Sequence, residues 1–79
     1  MSLEVRFFAS LREQVGVSEI TLDAASIKTV EDVWQLATNG QAIPDNTLCA
    51  INMDYVRLDA SVKDGDEVAF FPPVSGGSV

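Results

Sequence analysis

Histidine is absent from the 79 residues, and cysteine occurs once, at Cys49. The first absence removes the commonest general base and the commonest metal ligand. The second excludes an internal disulfide framework and any multi-cysteine metal cluster. Basic residues are scarce too: five against twelve acidic ones, a formal net charge of -7. A nucleic acid or an anionic membrane surface is a poor partner for such a chain. A basic protein surface suits it, although acidity also simply keeps a small domain soluble. No apolar run approaches the ~20 residues of a membrane span. No basic segment precedes an apolar one in the manner of a signal peptide, so the expected location is the cytoplasm.

What is present is the composition of an ordinary folded domain, 47% hydrophobic and 22% charged. The length allows one small domain of modest stability. Cys49 sits in the strand-like run Leu48-Cys49-Ala50-Ile51 with no histidine to activate it, so it reads as a small buried hydrophobe. On this inventory neither autonomous catalysis nor a bound metal or cofactor is expected. The acidic residues of Lys63-Asp64-Gly65-Asp66 lack the further oxygen ligands of a calcium loop and signal a turn instead.

Periodicity supplies the elements. Leu3 to Phe8 alternates as a strand, with Leu3, Val5 and Phe7 on one face and Glu4, Arg6 and Phe8 on the other. Ser10-Leu11-Arg12-Glu13 has the form of a capping box, which predicts a short helix from Ser10 to a stop at Gly16. Ser18 to Asp23 alternates again. Thr29 caps a longer helix, with Glu31 and Asp32 in its first turn and Val30, Val33, Trp34 and Ala37 as its apolar stripe. Asn39-Gly40 ends it. Leu48 to Met53, Tyr55 to Leu58 and Glu67 to Phe71 read as further strands, and Pro72-Pro73 stops sheet pairing. The order is two strands, a helix and three strands. It predicts an α+β fold of the β-grasp, ubiquitin-like type: a mixed sheet of about five strands with one main helix packed on one face. Residues 1–73 would form the domain and 74–79 a flexible tail.

In that fold the first and last strands lie side by side at the centre. Val5, Phe7, Val68 and Phe70 then face the helix, and Phe8 and Phe71 share the uncovered face. Two neighbouring exposed phenylalanines make an apolar patch of the kind that marks an interface. The alternative is a loop covering both rings, but no remaining segment is apolar enough. Tyr55 extends the patch from the fourth strand. Arg12, on the outer side of the first helix, is either a polar contact at its rim or simply solvated.

The chain closes on Val74-Ser75-Gly76-Gly77, followed by Ser78-Val79. Glycine lacks a Cβ, so Gly76-Gly77 fits a channel too narrow for other dipeptides.

Phe7-Phe8-Ala9, Leu11-Arg12-Glu13, Val15-Gly16, Val30-Glu31-Asp32-Val33, Ala50-Ile51-Asn52 and above all the long run from Asp64 to Gly77 resemble the small-subunit family of molybdopterin synthase (MoaD). Thiamine-pathway sulfur carriers (ThiS) share the fold and the Gly-Gly end but lack the Phe-Phe-Pro-Pro run. The resemblance implies a sulfur carrier. An ATP-dependent adenylyltransferase (MoeB-like) would convert the Gly77 carboxylate to an acyl-adenylate, and sulfur would replace AMP to give a thiocarboxylate. The tail would enter the large catalytic subunit (MoaE-like), in a heterotetramer, and pass its sulfur to cyclic pyranopterin monophosphate. Gly77 would carry the sulfur and Gly76 would clear the channel. Phe8 and Phe71 match docking positions of the family, and Pro72 and Pro73 would stiffen the exit of the tail. A ubiquitin-like protein modifier, a sulfur carrier of another pathway and an interaction module with an inert tail are the alternatives. Ser78-Val79 departs from the family pattern, because a thiocarboxylate needs a free carboxylate on Gly77. Removal by a peptidase, residues foreign to the natural chain, and a paralogue that docks without carrying sulfur all stay open. The intact remainder of the ending favours the first two.

Overall fold

The segment Ser2–Phe7 forms the first strand, β1, because its apolar residues fall at every second position: Leu3, Val5 and Phe7 are buried and Ser2, Glu4 and Arg6 are exposed. The computed structural model describes residues 2–73. Four further strands complete one sheet: β2 (Glu19–Asp23), β3 (Leu48–Ile51), β4 (Asp54–Val56) and β5 (Glu67–Phe71), in the order β2-β1-β5-β3-β4. β1 and β5 pair in parallel at the centre, and every other pairing is antiparallel. Helices α1 (Ala9–Val15) and α2 (Val30–Thr38) complete the predicted β-grasp arrangement, with a 3₁₀ turn at Ala24–Ser26 that the periodicity does not reveal. Among the described residues no helix is long and apolar enough to cross a membrane.

The core lies between the sheet and α2. Val30, Val33 and Trp34 project from α2 onto Val5, Phe7, Val68 and Phe70, and all seven are buried. The Trp34 ring meets Phe70 edge-on at 5.0 Å and Phe7 edge-on at 5.8 Å. Its Nε1 donates to the Gln41 carbonyl at 2.9 Å, so the polar end of the ring is satisfied.

Both ends of α2 follow the sequence expectation. Thr29 Oγ1 accepts from the Asp32 amide at 3.3 Å, and Asp32 Oδ2 accepts from the Thr29 and Lys28 amides, each at 3.1 Å. This is a reciprocal capping box. Asn39, in the left-handed region at φ 60°, ends the helix. The backbone amides of Lys28 and Thr29 hold the Asp32 carboxyl below its usual range. The resulting stabilisation is complete at neutral pH and is lost as the pH falls from about 4, the unfolded value, through the lowered folded one. Thr29→Ala is expected to cost about 1 kcal/mol in urea unfolding at pH 7. It should also leave a smaller pH dependence below pH ~4, because Asp32 keeps only part of its cap.

Three expectations are corrected. The Ser10-Leu11-Arg12-Glu13 capping box does not form: α1 begins at Ala9, with Phe8 in the N-cap position and no side-chain cap. Pairing of β1 continues into the Phe8 amide, which donates to the Phe70 carbonyl at 3.2 Å, so the chain turns at once into the helix through Ala9 at φ 53°. Ser10 is thereby inside the first turn. At the other end Gly16, at φ 95°, is the expected stop. The strands predicted at Leu48 to Met53 and Tyr55 to Leu58 are shorter. Asn52 and Met53 both take left-handed backbone and make a two-residue turn that pairs Ile51 with Asp54. Past Val56 the chain leaves the sheet. The Leu58 and Ala60 carbonyls instead accept from the Glu31 and Val30 amides, two donors that the first turn of α2 leaves free.

The Lys63-Asp64-Gly65-Asp66 turn is held by its own carboxylates. Asp66 accepts from the Lys63 amide at 2.8 Å and from Asn52 Nδ2 at 3.0 Å, and Asp64 accepts from the Ser2 amide at 2.7 Å.

Candidate functional site

The face of the sheet opposite α2 carries the side chains that alternate out of the core. One rung runs across four strands: Arg6 on β1 pairs with Ala69 on β5, Ala69 with Ala50 on β3, and Ala50 with Tyr55 on β4. Two alanines between longer side chains leave a shallow depression, of about 390 Å³, with Phe8, Phe71 and Met53 also on its lining. Phe71 ends β5 and Phe8 follows β1. Because those strands are parallel neighbours, the two rings stack face to face, 4.8 Å apart and 5° from parallel. Tyr55 approaches Phe71 at 6.0 Å with a tilt of 58°. Phe8 is 39% exposed and Tyr55 71%. No described segment covers this face, so the sequence expectation of an open aromatic patch at Phe8, Phe71 and Tyr55 describes the geometry.

Arg6 and Met53 belong to the same surface and were not singled out in the sequence. Arg6 Nε lies 2.7 Å from Glu67 Oε2 and 3.8 Å from Glu19 Oε1, so this cation is already partnered at the edge of the depression. As a solvent-exposed pair it contributes at most about 1 kcal/mol. Its alternation parity, shared with Phe8, was the available signal. Arg12 is exposed on α1 and is not among the residues that line the depression. Pro72 is half-buried and Pro73 exposed, directly after Phe71. A molecule seated on the aromatic pair therefore lies beside the point where residues 74–79 depart. Gly76, Gly77, Ser78 and Val79, and with them the expected flexible tail, lie outside the described residues.

Among the described residues Met53 is the most exposed of the large apolar side chains, at 90%, and its backbone φ of 73° is in the region that L side chains disfavour. Its neighbour Asn52 has a structural reason for the same conformation. Asn52 Nδ2 donates to Asp66, its Oδ1 accepts from the Glu67 amide at 3.0 Å, and its own amide donates to the Glu67 carbonyl at 2.8 Å.

Cys49 is on the opposite, core side of β3. It is buried, its Sγ donates to the Val56 carbonyl at 3.1 Å, and burial pushes its thiol pKa up. A thiol so placed is a poor nucleophile. Cys49 is not part of the open aromatic face.

Comparison with known proteins gives a consistent result. The ThiS family model matches residues 5–77. The molybdopterin synthase sulfur carrier subunit of Haemophilus influenzae is 43% identical, with 95% of this chain and 99% of that protein covered. Small archaeal modifier protein 3 of Haloferax volcanii is 35% identical, with 98% and 100% covered. Among solved structures, SAMP1 from Haloferax volcanii superposes with a TM-score of 0.75 at 30% identity, over 98% of this chain and all of that one.

Proposed function

The chain belongs to the ThiS family, and on that premise we propose that it is the sulfur carrier subunit of a molybdopterin synthase, with Gly77 as the carrying residue. The observation that carries this reading is the full-length similarity to the Haemophilus influenzae carrier. The stacked Phe8–Phe71 pair, set where the tail leaves the sheet, supplies the docking face such a carrier needs.

The chemistry requires the Gly77 carboxylate. That carboxylate attacks the α-phosphate of ATP on an adenylating partner, forming an acyl-adenylate and releasing pyrophosphate. A sulfur donor then displaces AMP, and the thiocarboxylate passes its sulfur to the pterin precursor in the large catalytic subunit. In this reading the chain is assigned no general acid or base. With its carboxylate free, Gly77 would offer an unhindered terminus, carried beyond β5 and the Pro72-Pro73 pair that follows it. Substrate orientation and proton transfer fall to the large subunit.

Phe8→Asp or Phe71→Asp is expected to weaken binding to the large subunit about 30-fold or more, the loss typical of an interfacial aromatic hot spot. The unfolding midpoint should change little, because both rings are outside the core. Titration calorimetry with the purified large subunit checks this; wild-type affinity in both variants would remove the docking face from the proposal.

A second reading has one observation in its favour, the 35% identity to an archaeal modifier protein over the whole chain. In that reading the activated Gly77 is transferred to a lysine amine instead of exchanging with sulfur.

A further inference from the structure

We propose that Met53 is a specificity-determining contact for the large catalytic subunit, an apolar arm at the tip of the β3–β4 turn that closes over the partner segment seated on Phe8 and Phe71. The inference rests on the carrier reading and deepens it.

The argument starts from a mismatch. Two-residue turns with both residues left-handed favour Asn followed by Gly. Here the first position is an asparagine whose side chain and backbone are tied to Asp66 and Glu67. The second is Met53, with a Cβ in a region that disfavours one. Its side chain gains nothing in the free protein to offset that strain, since it is 90% exposed and outside the core cluster. Glycine would serve the turn better, so the turn does not explain the methionine.

Its position does. Met53 lines the same depression as Phe8, Tyr55 and Phe71, and its turn adjoins Glu67, at the end of β5 away from Phe71. The aromatic pair at one end and Met53 at the other bracket the floor formed by Ala50 and Ala69. Methionine is unbranched and polarizable, and it moulds to apolar and aromatic partners. The occupant is the large subunit because the depression is continuous with the face that orients the tail toward it. An apolar side chain of that subunit, inserted over the two alanines, would touch Phe71, Tyr55 and Met53 together.

The test sets stability against affinity. Met53→Gly relieves the left-handed strain and leaves the Asn-Gly pair this turn prefers, so the melting temperature should rise by a few degrees. The same variant should bind the purified large subunit about tenfold more weakly, a loss in the range of a well-placed interface side chain. Met53→Asn, which tolerates the same backbone, should lose affinity to a similar extent. Met53→Leu, which keeps the apolar contact, should retain affinity within about threefold. Wild-type affinity in both Met53→Gly and Met53→Asn overturns the inference. If Phe8→Asp still breaks the complex in that case, the carrier reading stands without it. If neither Phe8→Asp nor Met53→Gly weakens the complex, the docking face and the inference fail together.

Discussion

A form of the chain ending at Gly77, given an adenylating partner, ATP and a sulfur donor, is expected to gain the mass of one oxygen-to-sulfur exchange, while the 79-residue form gains nothing. The difference is all-or-none because the first step needs the ionised carboxylate on Gly77, whereas the free carboxylate of the 79-residue form is on Val79, whose branched side chain does not fit a channel shaped for glycine. In the longer form the Gly77 carbon is an amide to Ser78, whose carbonyl oxygen is too weak a nucleophile to displace pyrophosphate. The chain contains no histidine, and its one thiol, Cys49, is buried and donates to the Val56 carbonyl. Burial raises that thiol's pKa, so the thiolate is scarce at neutral pH. If Ser78-Val79 are removed by a peptidase, adding a peptidase-containing extract should convert the longer form into one that accepts sulfur; if they are foreign to the natural chain, only the form ending at Gly77 should accept it. Intact-mass measurement reads every arm. Ladders of conjugates on other proteins would select the modifier reading. A truncated form that stays unmodified would end the carrier reading.

The largest effect on stability is expected from Trp34→Ala. A domain of this length has a stability of about 5 kcal/mol. Truncating a fully buried tryptophan costs about 3–5 kcal/mol, which leaves the variant largely unfolded near body temperature. Trp34 is the one side chain of α2 that touches both central strands through ring contacts, Phe7 of β1 and Phe70 of β5. Those two phenylalanines precede Phe8 and Phe71 in the chain. Loss of the indole should therefore loosen the pair on the far side of the sheet as well as the core. Trp34→Phe keeps an aromatic ring on Phe70 and should retain more than half of the stability. Circular dichroism with urea titration checks both. A Trp34→Ala protein within about 1 kcal/mol of wild type would contradict this account of the core.

Alternation carried most of the fold. Leu3, Val5, Phe7, Val68 and Phe70 had only to be assigned to one face for Phe8 and Phe71 to fall on the other, and a parallel central pair then forces those two rings together. The second helix was legible because Thr29 and Asn39 are residue types with a local reason to sit at its ends. The first helix start was misread. Ser10 has the right chemistry for a cap, but the pull of the sheet on the Phe8 amide sets the boundary, and that is a contact between residues 62 apart. Arg6 was passed over because a charged residue on a strand usually means only solvent. Met53 was passed over because its signal is a residue out of place, visible only once the backbone angle of the turn is known. The role expected of Gly76-Gly77 rests on residue size and on the resemblance alone, since both residues lie outside the described ones.

The parallel pairing of β1 and β5 has a mechanical consequence. Parallel pairing sets their amino ends side by side, so the chain enters this ladder through β1 at one end and leaves it through β5 at the other, and tension between the two ends of the domain pulls along the strands. Backbone bonds such as Glu4 amide to Asp66 carbonyl and Phe8 amide to Phe70 carbonyl then carry the load together and have to break at once. A hairpin pulled from its open end would instead unzip one bond at a time. An unfoldase pulling on the carboxyl end of the chain would therefore meet shear resistance from the centre of the sheet.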